Sequence, residues 1–307
     1  MKNTTKAYIA VACQSLIVGF SFLFVKIALK SADTLSLLAH RFTLAALGIL
    51  IYNLLSPSKI KVDRSDWRKI APYSVAYPIA FFLFQTLGLQ MISSSEAGIV
   101  HATAPVWTLI AAGILLKERV GSAQKLLMLL SVSGVVFINI MNGSSVGKNS
   151  YLGFLFILLS AISFAVYTVL TRRLSKTYSV LPIVYVMSIT GCVVFNLISV
   201  ARHLLNGSLA DYFRPFSDPA FAWAMLYLGV LSSLVTALLS TYALGKLEAS
   251  KVGLCNNLSV VVTLLAGPAF LHETLYYYHY IGMLAILIGT IGFNLIKIKP
   301  RLKDADQ

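Results

Sequence analysis

Carboxylates are scarce in this chain. Only 11 of its 307 residues are Asp or Glu, against 25 Lys and Arg. Glu96, Glu118, Glu248 and Glu273 stand near the ends of apolar runs, and no Asp or Glu sits in the middle of one. Pumps that exchange protons for cationic cargo need a buried carboxylate, and none is offered here. A Gly-x-x-x-x-Gly-Lys loop is missing too, so this chain does not hydrolyse ATP. There is no Gly-x-Ser-x-Gly elbow and no pair of mid-run aspartates. His272–Glu273 begins a zinc-protease pattern, but Tyr276 stands where the second His belongs. The three cysteines, Cys13, Cys192 and Cys255, lie inside apolar runs at no metal-ligand spacing and read as packing residues. No cofactor and no metal are expected, and an intramembrane enzyme becomes a remote alternative.

What fills the chain instead is apolar. Hydrophobic residues make up 58%, and the mean hydropathy is +0.80. A bilayer core needs roughly 20 apolar residues per helix. Ten such runs can be marked, at 8–28, 34–54, 71–91, 96–116, 122–141, 151–171, 180–201, 221–243, 251–271 and 278–297. Lys2 and Lys6 before the first run resemble a signal peptide's basic head. The run is too long for one and lacks a cleavage site, so a retained helix is expected. The net charge of +14 could suggest nucleic acid, but the basic residues lie between runs. Lys30, Lys148, Arg202 and Arg214 fall in the odd-numbered gaps, whereas nineteen others fall on the opposite side. The positive-inside rule then places both termini in the cytoplasm and the chain in the cytoplasmic (inner) membrane. The loop at 202–220, with Tyr212, Phe213, Pro215, Phe216 and Pro219, reads as lying on the membrane surface.

The chain also repeats itself. A shift of 155 residues lays Glu96–Val120 over Lys251–Leu275 without a gap, matching Gly98 with Gly253, Thr108 with Thr263, Leu116 with Leu271 and Glu118 with Glu273. Gly134 then meets Gly289, and Asn139 meets Asn294. Such repeats fix an architecture. Two halves, 1–145 and 146–307, would hold five spans each. Five is odd, so the second half enters the membrane from the other side. The expected fold is all-α: a polytopic membrane protein of ten transmembrane helices in a 5+5 inverted repeat, with a solute site near the midplane.

Gly19–Lys26 (GFSFLFVK), His40–Leu47 (HRFTLAAL) and the two repeats ending in Glu118 and Glu273 carry a resemblance. In order and number they resemble the EamA family of the drug/metabolite transporter superfamily, over nearly the whole chain. The family usually has Trp before that first Gly, where this chain has Val18. The resemblance implies a ten-helix carrier of amino acids and related metabolites, often an exporter, with its fifth and tenth helices outside the cavity.

Polar residues within spans usually face protein or water. Span four shows Gly98, His101, Ala102, Pro105, Thr108 and Ala112 on one face. The overlay sets His101 on Asn256 and Ala102 on Asn257. Tyr77, Phe81 and Gln85 of span three fall on Ser232, Thr236 and Ser240 of span eight. Span one offers Ser15, Gly19, Phe22 and Lys26, and span six offers Ser160, Ser163 and Tyr167. The expected substrate-binding set is Ser15, Gly19, Phe22, Tyr77, Phe81, Gln85, His101, Trp107, Ser163, Tyr167, Thr236, Ser240, Asn256 and Asn257. The plainer reading of each is interhelical packing or hydrogen bonding. Arg41 reads as a structural anchor more than a ligand, and Lys26 as a snorkelling residue. Gly282, Ala285, Gly289 and Gly292 form a small-residue stripe on span ten, expected to pack on span five through Gly134. Gly19, Gly98, Gly253, Pro105, Pro182 and Pro268 are candidate hinge or close-packing positions.

An aromatic, hydroxyl and amide cavity suits a neutral or zwitterionic solute. The reading is a secondary transporter working by alternating access, most simply an amino-acid exporter. An uptake carrier for a nucleoside-like or quaternary-amine metabolite is the alternative, and a channel is more remote. The expected partners are a small-molecule substrate and the lipid bilayer, not nucleic acid, with a monomer as the working unit.

Overall fold

The computed structural model describes residues 2–92, 97, 100–101, 103–118, 120–141, 150–262 and 275–296. Among these residues no strand occurs, and ten helices follow in chain order. They are α1 (Lys2–Ala28), α2 (Thr34–Leu55), α3 (Arg64–Met91), α4 (Ala104–Leu115), α5 (Ser122–Met141), α6 (Ser150–Leu174), α7 (Val180–Leu205), α8 (Pro219–Leu244), α9 (Ala249–Cys255) and α10 (Tyr277–Leu295). Seven of them, α1, α2, α3, α6, α7, α8 and α10, are long and apolar enough to cross a bilayer, and α4 and the Ser122–Ile138 part of α5 are shorter apolar stretches. The chain is an all-α, multi-pass membrane protein. Glu96, Gly98, Ala102, Pro268, His272 and Glu273 lie outside the described residues.

Helix pairing follows a rule. If α1 to α5 are exchanged for α6 to α10, the pair α1·α8 becomes α6·α3, and α2·α8 becomes α7·α3; all four pairs are in contact. The pairs α2·α7, α4·α9 and α5·α10 map onto themselves and are also in contact. The α5·α10 seam obeys the 155-residue shift at atomic detail. A Cβ on Gly134 would lie 2.7 Å from the Gly282 carbonyl and 3.2 Å from Ile286. The shifted partner Gly289 would meet the Leu127 carbonyl at 2.5 Å and the Ser131 amide at 2.6 Å. Glycine there lets two backbones approach. Gly19 and Gly253 serve the same end: their Cβ atoms would fall 2.8 Å from Val262 and 2.9 Å from Thr108. Pro182 sits in the first turn of α7 and Pro105 opens α4, where proline is tolerated.

Polar side chains fasten the helix ends. Asp33 caps α2, its carboxylate accepting from the Leu35 amide at 2.9 Å and the Ser36 hydroxyl at 2.8 Å. Lys26 does not snorkel to headgroups. Its Nζ donates to the Leu89 and Ile92 carbonyls at 2.6 and 3.0 Å, satisfying the end of α3. Glu118 reaches from the end of α4 to the first turn of α9. Its carboxylate accepts from the Ala249 amide at 3.0 Å and the Ser250 hydroxyl at 2.8 Å. A carboxylate is favoured at a helix N-terminus.

The loop at 202–220 is more than a surface segment. It makes single 3-10 turns at Leu209–Asp211 and Arg214–Ser217, and between them Tyr212 turns inward and is buried. The Tyr212 hydroxyl donates to Asn196 Oδ1 at 2.6 Å, and its carbonyl lies 2.9 Å from His40 Nε2. The His40 ring, with Phe216 4.9 Å and Phe221 6.1 Å away, ties this loop to α2.

Candidate functional site: a cavity shared by both halves

Four helices depart from regular α-geometry where they approach one another. α3 contains a π turn at Ala76–Ala80, with Tyr77 extended (φ −149°, ψ 122°), and α8 contains one at Tyr227–Val235. The 155-residue shift carries the first into the second. Regular bonding is broken at Thr103, just before α4, and at Asn256–Asn257, just after α9, where i to i+3 bonds replace the regular ones. Helices interrupted in this way free backbone groups, and π turns are frequent at functional sites.

Between these irregular turns lies a cavity of about 60 Å3, room for no more than a few waters. Ten of the residues expected at a binding site line it: Phe22, Tyr77, Phe81, Gln85, His101, Tyr167, Thr236, Ser240, Asn256 and Asn257. The overlaid triplets Tyr77, Phe81, Gln85 and Ser232, Thr236, Ser240 all face it, as does the overlaid pair His101 and Asn256. One wall is aromatic. Tyr77 stacks on Tyr167 at 4.1 Å, and His101 sits edge-on to Phe81 at 5.9 Å and tilted to Phe164 at 5.8 Å. The other wall is polar, with Ser232, Thr236 and Ser240 on α8 and Asn256, Asn257 and Ser259 in the stretch just after α9. Asn257 also donates to Ser131 on α5 at 3.3 Å.

Four expected residues lie elsewhere. Ser15 turns from the cavity, its hydroxyl donating to the Val11 carbonyl at 3.0 Å and to the Cys255 carbonyl at 3.2 Å. Gly19 faces Val262 and the Ser259 carbonyl, because the small residue is where α1 and α9 touch. Trp107 donates through Nε1 to Thr103 at 3.2 Å, and Ser163 bonds back to the Leu159 carbonyl at 2.8 Å. On α1 the cavity face is Gln14, Val18, Ser21 and Phe22, one position out of phase with the expected stripe. Gln14, a polar residue inside an apolar run, was the signal for it.

Arg41 is the residue whose role changes most. It lines the cavity and is 1% exposed. Its Nε donates to Ser233 Oγ at 2.7 Å and its Nη2 to Ser232 Oγ at 3.0 Å, while the guanidinium carbon stands 4.1 Å over the Phe82 ring. Phe82, Phe164, Ser259 and Val260 complete the lining, and none of them was in the stripes expected from the sequence.

The fold defines a polytopic membrane protein with an internal cavity lined by rings and polar groups. The chain belongs to the EamA-like transporter family, whose model matches residues 5–140 and again 151–295. It is 45% identical over 95% of its length to an uncharacterized transporter, YcxC, of Bacillus subtilis (strain 168), covering 93% of that protein. It is 24% identical over 83% of its length to the WAT1-related protein At3g02690, chloroplastic, of Arabidopsis thaliana, covering 61% of it. A solved structure described as "Crystal structure of protein" superposes with a TM-score of 0.74 at 17% identity, over 93% of this chain and 95% of that one, a likeness of fold. The protein is a membrane transporter and not an enzyme.

Proposed function

We propose that this protein is a secondary transporter that moves a small neutral or zwitterionic metabolite, an amino acid or a near relative, by alternating access. The halves 1–145 and 146–307 are inverted copies that rock about the shared cavity. The observation that carries this reading is the cavity's composition: residues at overlaid positions of both halves line one space. A volume near 60 Å3 is too small for an amino acid, so it suits a pinched state between two open ones. Inverted repeats around a central site are the usual build of such carriers. The unequal spread of basic residues supports cytoplasmic termini in the cytoplasmic membrane, and the family resemblance supports export.

Proteoliposomes test it. Labelled amino acids should enter with saturable kinetics and show counterflow, which a pore cannot give. His101→Leu and Asn256→Leu should abolish flux while the protein stays monodisperse. Unchanged flux in both would remove the cavity from the mechanism. No carboxylate lines the cavity among the described residues, so flux should persist without an imposed pH gradient.

A further inference from the structure

Arg41 carries a full positive charge into the protein interior, yet among the described residues no acidic partner meets it. The ion pairs among the described residues are Arg202–Asp33, Arg214–Asp211 and Lys251–Glu248. Serine hydroxyls and the Phe82 face hold the guanidinium in place, but they bring no negative charge. Nη1 is buried and has no hydrogen-bond partner among the described residues. A buried charge is normally paired, and a buried donor left unmade is costly. Three further buried atoms of the same lining, Gln14 Oε1, His101 Nε2 and the Tyr167 hydroxyl, also lack partners among the described residues.

We propose that Arg41 is the anion anchor of the cavity, and that the solute it binds carries a carboxylate held by Nη1. The assignment rests on the transporter reading and narrows its substrate class. Carboxylate and guanidinium match in charge and planar geometry, and such charge-assisted bonds are the strong ones. The cavity supplies one full positive charge, which a monocarboxylate neutralises; a phosphate dianion would keep net charge in a dry site. The two bonds to Ser232 and Ser233 fix the guanidinium, so the free edge is pre-oriented. The rest of the solute lies on the rings of Tyr77, Phe81 and Tyr167. An ammonium group, where present, finds Gln14 Oε1 and those ring faces. A quaternary amine lacking a carboxylate would meet an uncompensated guanidinium and is excluded.

The test compares isosteres on the native protein, so it does not depend on a variant folding. Thermal stability of the purified protein is measured with propionate, 3-methylbutanoate, 3-phenylpropionate, L-alanine, L-leucine and L-phenylalanine, each against its primary amide and against inorganic phosphate. A ligand of the folded state raises the midpoint. At least one acid should stabilise, with an apparent affinity tenfold or more above its amide. Arg41→Lys should retain part of that preference and Arg41→Met none. Equal shifts from acid and amide overturn the proposal, as do shifts from phosphate alone, or none from any acid. Flux of the stabilising acid in proteoliposomes separates the two readings. Binding through the carboxylate without saturable flux sinks the transporter and keeps the anchor. Saturable flux of amides without that of acids does the reverse.

Discussion

The α5·α10 seam and the α3/α8 pair obey the same 155-residue shift and use it differently. In the seam the residue type is kept with the geometry, since Gly134 and Gly289 each press against the opposite backbone. At the cavity both helices carry a π turn, that of α3 broken by the extended Tyr77 and that of α8 not, and the chemistry has parted as well. One half gives Tyr77, Phe81 and Gln85, and the other gives Ser232, Thr236 and Ser240. Two backbones in contact impose the same limit on both sides. A solute has no two-fold symmetry, so one half can offer rings while the other offers hydroxyls. The matched glycines hold the seam, and in the proposed transporter the unequal matched triplets are the ones that would face the solute.

The largest effect that could break this comparison belongs to the seam. Gly289→Leu must push its side chain against the Leu127 carbonyl and the Ser131 amide, neither of which can yield like a side-chain tip. Gly289→Ala should cost about 1–3 kcal/mol by overpacking, and the leucine more. Thermal unfolding in detergent measures it, with flux per folded molecule unchanged. A native midpoint for the leucine variant would mean that the helices are not in close approach. Phe81→Leu makes the opposite demand. It keeps apolar bulk but loses ring contacts with Tyr77 at 5.4 Å and Phe164 at 5.6 Å. Each such contact contributes about 0.5–1.5 kcal/mol. The half-saturating concentration for flux should rise about two- to tenfold with that loss, while the unfolding midpoint falls less than for Gly289→Leu. An unchanged half-saturation would make the aromatic wall mere packing.

How far the sequence exposes these roles depends on where the signal resides. Span number, the small-residue seam and the overlaid triplets are legible because each is a periodic pattern along one helix. The α1 face is misread by one position, since a small residue marks a helix contact as readily as a cavity, and Gly19 marks the contact with Val262. Arg41 is legible as an oddity but not as a cavity residue. Its placement depends on Ser232 and Ser233, which are distant in sequence and brought close only by the α2·α8 contact. The inward turn of Tyr212 is hidden for the same reason, because its partners Asn196 and His40 lie on other helices.

The comparison extends to the helix ends, where single carboxylates of the first half reach into the second. Glu118→Ala leaves the Ala249 and Ser250 amides at the start of α9 without their acceptor. Loss of a cap costs about 0.5–2 kcal/mol. Glu118→Gln keeps an acceptor and gives up the charge at the helix N-terminus, worth about 0.3–1 kcal/mol. Unfolding midpoints should rank native, glutamine, alanine. Equal midpoints for glutamine and alanine would assign the whole effect to charge.

Asp33 should show the smallest effect, because its pair with Arg202 is partly exposed and screened. Burial pushes the Asp33 carboxyl up, but the Ser36 hydroxyl and amide and the Arg202 guanidinium outweigh it and hold the group below its ordinary value. A carboxyl with a depressed folded value stabilises fully above the unfolded value, about 3.9 for aspartate, and loses that contribution as pH falls through the folded one. Acid should therefore lower the native unfolding midpoint across that window, and Asp33→Asn should flatten this part of the slope. Glu118 shows no comparable requirement for a cation, since it is met by amides and a hydroxyl. Added salt should therefore shrink the Asp33→Asn difference and leave the Glu118→Ala difference nearly intact. Equal salt sensitivity in the two variants would erase the distinction between an exposed ion pair and a half-buried helix cap.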